Sequence, residues 1–110
     1  MALQVGQSLI STDKEGFLVN LEDWSEEVAE LLAEAEGISL TDNHWEILHL
    51  LRKFQEQFDL SPPMRPLVKY VTQKLGPEKG RSIYLTQLFP PNPAKIASKL
   101  AGLPKPEGCL

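Results

Sequence analysis

The sequence predicts a mainly α protein: a compact bundle of five helices with a small N-terminal β-hairpin and a flexible C-terminal arm. Three observations predict it. Apolar residues recur at helical spacing in five stretches, each bounded by a capping residue, a proline or a glycine. Only the N-terminal stretch carries short β-type runs around a turn-forming segment. From Leu103 onward the chain holds two prolines and a glycine with no helical pattern. A chain of 110 residues suffices for one domain with a single core, here a body of residues 1–102 and an arm of residues 103–110.

Ser8–Ser11 and Phe17–Val19 flank Thr12–Gly16, whose Asp13 and Gly16 favour a turn, so these runs predict the hairpin. Two strands alone are marginal, so the hairpin must lean on helices. The first helix is expected from Asp23, with Glu26 as a capping-box partner and Val28, Leu31, Leu32 and Ala35 as its apolar face. Gly37 stops it. The second begins after Thr41, with Asp42 at the positive end of the helix dipole and an apolar stripe of Trp45, Leu48, Leu51 (or His49) and Phe54, extended by Phe58. The third opens at Ser61-Pro62 and buries Met64, Leu67, Val68, Val71 and Leu75, ending at Gly76. The fourth spans Pro77 to Leu88, with Ile83, Tyr84, Leu85 and Leu88 apolar, and Pro90-Pro91 blocks it. The fifth opens at Asn92-Pro93 and carries Ala94, Ile96, Ala97, Leu100 and Ala101 up to Gly102.

Composition narrows the function. The net charge is −4, which disfavours strong direct binding to nucleic acid, where phosphate contacts dominate affinity. No apolar run approaches the ~20 residues of a membrane span. Met1–Gln7 has no basic segment followed by an apolar stretch, so no secretory signal is expected. A single cysteine permits no internal disulfide and suits a reducing cytoplasm. Most acid lies before Glu46, whereas Arg52, Lys53, Arg65, Lys69, Lys74, Lys79, Arg81, Lys95, Lys99 and Lys105 follow it.

That one cysteine, Cys109, is the next-to-last residue. A thiol used for core filling would lie on the apolar face of a helix or strand. Cys109 instead follows Leu103-Pro104-Lys105-Pro106-Glu107-Gly108, a stem whose extended reach is on the order of 20 Å. Pro104 and Pro106 stiffen it, and Gly108 acts as a hinge that leaves the sulfur open. Glu107 and the Leu110 carboxylate both oppose a thiolate at Cys109. Such a thiol is quiet alone and reactive once docked against a positive field. Arg65, Lys69, Lys99 and Lys105 are candidates for contacting the arm or an acidic partner.

Other residues point less far. His44 and His49 are five apart, not the i, i+4 pair of a helical metal site, so they are read as structural or partner-facing. Trp24 and Trp45 are read as core anchors. The second and third helices, joined at Asp59-Leu60-Ser61, also fit a helix-turn-helix DNA-binding regulator, a reading the acidic total opposes.

The closing stretch Ala97–Leu110 is similar to the C-terminal signature of the DsrC/TusE family. The resemblance continues through Asp13–Leu18, Trp24-Ser25-Glu26, Glu36–Thr41, His44-Trp45-Glu46 and Tyr84–Pro90. It implies a sulfurtransferase that acts only with partner proteins, carrying a persulfide sulfur on Cys109 without cofactor or metal. In the TusE branch the implied donor is a TusBCD-like complex, and the acceptor is an MnmA-like tRNA thiolase that makes 2-thiouridine. In the DsrC branch the protein works with, or regulates, a dissimilatory sulfur-metabolism enzyme. DsrC carries a second cysteine where this chain has Ser98. A serine hydroxyl cannot displace sulfide from a persulfide by closing a disulfide, so the resemblance favours relay over redox release.

Overall fold

A two-residue turn at Gly6-Gln7, with Gly6 at φ +59°, folds the N-terminus back on itself. It joins β1 (Ala2–Val5) to β2 (Ser8–Ser11) as an antiparallel pair in which Leu3 faces Ile10 and Gln4 faces Leu9. The hairpin therefore uses the expected strand Ser8–Ser11 but pairs it with the segment before it. The expected strand Phe17–Val19 contributes one bridge, Thr12 to Leu18. Between them Asp13 makes a tight loop, its carboxylate accepting from the amides of Glu15 and Phe17. Phe17 and Leu18 are buried by this loop. Described residues run from Met1 to Gly108 in this computed structural model, and Cys109 and Leu110 lie outside them.

Five helices follow: α1 (Glu26–Ala35), α2 (Asp42–Phe58), α3 (Met64–Leu75), α4 (Ser82–Leu88) and α5 (Pro93–Leu100). Their starts obey cap chemistry. Ser25 accepts from the Val28 amide and opens α1, while Asp23, the expected start of that helix, ends a short 3-10 turn, Leu21–Asp23, capped by Asn20. Asn92 accepts from the Lys95 amide and Pro93 takes the first position of α5. Thr41 caps α2, whose third residue, His44, returns a bond: its Nδ1 accepts from the Thr41 amide at 3.1 Å.

Two more helices start later than the sequence predicts. Pro63 is the cap residue of α3, which begins at Met64 rather than at Ser61-Pro62. α4 begins at Ser82, not Pro77. The intervening Gly76–Gly80 turn seats Gly80 against Thr72, whose hydroxyl approaches the Gly80 carbonyl at 3.2 Å. A β-carbon on Gly80 would overlap the Thr72 side chain, so the turn is fixed by contact with α3.

The shortest helices do unequal work. α5 packs against all four others, α1, α2, α3 and α4. Seven of its residues are buried, including Ala94, Ala97 and Ser98, small enough to let neighbouring backbones close in. Around it lie Val28, Ala29 and Leu32 of α1, Ile47, Leu48 and Leu51 of α2, Leu67 and Val71 of α3, and Leu85 with Phe89 at the end of α4. The buried stripe of α1 runs through Ala29 and Ala33 rather than the expected Ala35, which is exposed. Phe58 and Ile83, expected on apolar faces, are 47% and 62% exposed. No helix among the described residues is long and apolar enough to cross a membrane.

Candidate functional site

The stem that leads to Cys109 leaves the body from the end of its central helix. α5 terminates in a Schellman motif: the Gly102 amide donates to the Lys99 carbonyl at 3.1 Å and the Leu103 amide to the Ser98 carbonyl at 2.9 Å. Gly102 sits at φ +75°, where glycine costs least. The next two carbonyls are taken by side chains from elsewhere in the chain. Trp24 Nε1 donates to Leu100 at 2.9 Å, and Arg52 Nη1 donates to Ala101 at 2.6 Å. The Arg52 guanidinium also lies 4.0 Å from the centre of the Trp24 ring, stacking the two donors. A cation here complements the negative end of the helix dipole. Burial lowers the Arg52 pKa, and the charge of Glu56 acts against that shift.

Beyond the helix the stem stays on the body for several residues. Leu103 is 2% exposed and belongs to the core. Ser61 Oγ donates to the Pro104 carbonyl at 2.5 Å. Lys105 Nζ reaches Glu15 on the Asp13 loop at 3.0 Å, and Lys95 Nζ reaches the same carboxylate at 3.0 Å. These two ammonium groups, Lys95 foremost, hold the Glu15 carboxyl below the usual glutamate range. Pro106 is buried, whereas Glu107 and Gly108 are exposed. Gly108 adopts φ +78°, a conformation that turns the chain just before Cys109. Cys109 itself lies outside the described residues. A cleft of about 380 Å³ runs beside the stem, lined by Asp59, Leu60, Ser61, Pro63 and Pro104–Glu107.

The candidate basic residues disperse. Lys99 is 6% exposed, paired with Glu36 at 2.9 Å and held 5.4 Å over the Phe17 ring. Lys105 serves the stem. Arg65 and Lys69 are exposed on α3, with no ion pair among the described residues. His44 is structural: its Nε2 donates to the Leu88 carbonyl at 2.8 Å while Nδ1 accepts from Thr41. His49 pairs with Glu26 at the surface and stacks on Trp45. Among the described residues no group of His, Cys, Asp and Glu could hold a metal ion. Ser98 is fully buried and its hydroxyl has no hydrogen-bond partner among the described residues. Sequence reasoning did not find Trp24, Arg52, Ser61 and Glu15 as holders of the stem. Each is far from it along the chain, and no local motif marks them.

The family described as DsrC like protein matches residues 4–110. The chain belongs to the DsrC-like family. Within it, this chain is 54% identical over 102 residues to the protein named sulfurtransferase TusE in Yersinia pseudotuberculosis serotype I (strain IP32953), covering 93% of this chain and 94% of that one. To the sulfurtransferase TusE of Escherichia coli (strain K12) it is 52% identical over 101 residues, covering 92% and 93%. Its fold is similar to the solution structure of Allochromatium vinosum DsrC, with a TM-score of 0.90, 46% identity and full coverage of both chains. The hairpin, the five helices and the stem of this DsrC-like chain are therefore the family architecture, and its Ser98 occupies the core of that architecture.

Proposed function

We propose that this protein is a sulfurtransferase of a persulfide relay, with Cys109 as the carrier. The observation that carries the reading is its identity of 52–54% to sulfurtransferase TusE proteins over more than nine-tenths of each chain. The single cysteine next to the C-terminus supports it. So does a stem anchored to the body through Pro106 and exposed at Glu107 and Gly108.

The chemistry is two exchanges of the same kind. Docked on a donor, the Cys109 thiolate attacks the outer sulfur of the donor's cysteine persulfide. A bond forms from Cys109 Sγ to that sulfur, the donor's S–S bond breaks, and the donor cysteine leaves as a thiolate. On the acceptor a partner thiolate attacks the outer sulfur on Cys109, and Cys109 leaves as the thiolate. There is no net oxidation and no cofactor. The donor is a TusBCD-like complex and the acceptor an MnmA-like tRNA thiolase, so the relay ends in 2-thiouridine and operates in the cytoplasm. Ser98 favours this reading over a DsrC-like role with a dissimilatory enzyme. A buried hydroxyl offers no second thiol to expel the sulfur as sulfide.

Mass spectrometry after incubation with a persulfide-charged donor tests the reading. The expected result is one added sulfur atom mapped to Cys109, absent from Cys109→Ser, which keeps the wild-type circular dichroism. Full transfer by Cys109→Ser would refute it.

A further inference from the structure

Between Leu60 and Pro77 the chain carries Arg65, Lys69 and Lys74 and no acidic residue. The protein as a whole has a net charge of −4, and α1 alone holds Glu26, Glu27, Glu30 and Glu34. α3 is thus a basic element in an acidic protein. Lys79 meets Glu46, Lys95 and Lys105 meet Glu15, and Lys99 meets Glu36. Arg65 and Lys69 have no ion pair among the described residues, and Lys74 lies 5.7 Å from the centre of the Tyr70 ring. Spacing of four residues sets Arg65, Lys69 and Gln73 one turn apart along one side of α3, and all three are exposed. The two cations are hydrogen-bond donors with no acceptor of their own. The ligand that suits them has two anionic groups about one helical turn apart, ~6 Å, comparable to the separation of neighbouring phosphates on a nucleic-acid strand.

The stripe begins beside the root of the cysteine arm. Ser61, whose hydroxyl meets the Pro104 carbonyl, stands four residues before Arg65, and Pro63 caps the helix. Seven residues run from Gly102 to Cys109, so an arm lifted off the body carries the thiol through a radius on the order of 20 Å about that root. The stripe lies inside this radius, and a partner that takes up Cys109 brings its own surface near α3. Of the two partners in the relay, the acceptor holds an RNA, a polyanion with a phosphate at every nucleotide. The donor offers protein surface, where both signs of charge are mixed. A row of donors uninterrupted by acid fits the RNA. We propose that Arg65 and Lys69 bind backbone phosphates of the tRNA held by the acceptor enzyme. Phosphate contacts position without reading sequence, so the stripe orients the carrier on the loaded enzyme and leaves the choice of base to the acceptor. Two contacts are few, and the overall negative charge opposes binding to RNA alone, so the stripe works as one part of a larger docking surface. The inference rests on the relay reading above and adds to it the RNA as a direct contact of this chain.

The test measures binding of the carrier to an MnmA-like acceptor, empty and loaded with an unthiolated tRNA substrate, over a series of KCl concentrations. Arg65→Gln/Lys69→Gln should bind the empty acceptor as the wild type does. It should bind the loaded acceptor about fivefold more weakly, with the slope of log affinity against log salt reduced by about one to two. Arg65→Lys/Lys69→Arg, which keeps both charges, should retain wild-type binding to within about twofold. Persulfide loading of Cys109 from a TusBCD-like donor should proceed at the wild-type rate in both variants, and their circular dichroism should match the wild type. Wild-type affinity and salt slope of the glutamine variant on the loaded acceptor would overturn the proposal. Equal weakening on the empty acceptor would assign the stripe to the acceptor's protein surface and overturn it too, as would slower loading from the donor. Binding of the wild type to free tRNA or to random duplex DNA as tightly as to the loaded acceptor would make the stripe a self-sufficient nucleic-acid site and also overturn it. A wild-type Cys109 that passes no sulfur to the acceptor, with or without RNA, would instead refute the relay reading itself.

Discussion

Gly102 and Trp24 are fitted so closely that a β-carbon on the glycine would lie 2.3 Å from Cδ1 of the indole ring. The positive φ that lets the chain leave α5 and the bare backbone that lets Trp24 cap it are thus required at the same residue. Gly102→Ala meets both obstacles. The left-handed conformation costs an alanine roughly 1–2 kcal/mol, and the ring must shift as well, so we expect a loss of about 2–4 kcal/mol. Urea unfolding measures it. A loss below about 1 kcal/mol would show that the ring yields freely. Trp24→Ala should destabilise the wild type but cost less in the Gly102→Ala background, because there it also relieves the clash.

The Glu15 carboxylate joins the stem to the hairpin loop, and its titration should report on that junction. Its pKa is lowered by Lys95 and then Lys105. A depressed carboxylate stabilises the fold at pH values above its unfolded pKa and loses that contribution as pH falls through its folded value. The ordinary value is 4.5, so the junction should remain intact at pH 5 and neutral conditions, and give way only below 4.5. NMR titration of the Glu15 carboxyl carbon checks the midpoint. Glu15→Gln should abolish this transition and move the Lys105 side-chain resonances at neutral pH. A midpoint at or above 4.5 would contradict the lysine contacts.

Much of this arrangement was legible locally. Thr41 and Asn92-Pro93 are short-range cap signals, and the helices they open begin where those residues stand, whereas α1 opens at Ser25 rather than at the expected Asp23. The end of α5 was also plain, as Gly102, Pro104 and Pro106 do not continue a helix. Other features depended on distant contacts. Pro77 resembles a helix start, yet the fit of Gly80 against Thr72 makes that segment a turn. Ser8–Ser11 had two possible neighbours, and the Gly6-Gln7 turn selected the earlier one. The Trp24 and Arg52 bonds to α5 span 76 and 49 residues of sequence, and the Lys105 bond to Glu15 spans 90. Lys99 reads as a surface cation because its partner Glu36 lies 63 residues away.

His44 links two helices through one ring. Nδ1 accepts from the amide at the start of α2 and Nε2 donates to the last carbonyl of α4, with the ring edge-on to Phe89 at 5.2 Å. This pattern assigns the neutral tautomer with the proton on Nε2. His44→Ala leaves the Thr41 amide and the Leu88 carbonyl without partners and opens a gap beside Phe89. A loss of about 2–3 kcal/mol is expected in chemical denaturation. Amide exchange at Thr41 should rise with it. Unchanged exchange would mean that this amide is satisfied by something other than the histidine.

Ser98 makes the opposite prediction. Its hydroxyl is buried in the last turn of α5, where the helix meets its neighbours, and among the described residues it finds no acceptor or donor. A buried hydroxyl without a partner carries a desolvation cost of about 1–3 kcal/mol. Ser98→Ala removes that cost and leaves a space of only one oxygen atom. Part of the gain returns as lost packing, so the variant should be as stable as wild type or more stable by up to about 1 kcal/mol. The backbone carbonyl of residue 98 still receives the Leu103 amide, so the exit of the stem is preserved. Sulfur loading of Cys109 should therefore proceed at the wild-type rate in Ser98→Ala, measured beside its melting temperature. A fall in stability beyond about 1 kcal/mol would reveal a hydrogen bond to the hydroxyl. A fall in loading at unchanged stability would give Ser98 a part in the chemistry that its burial denies it.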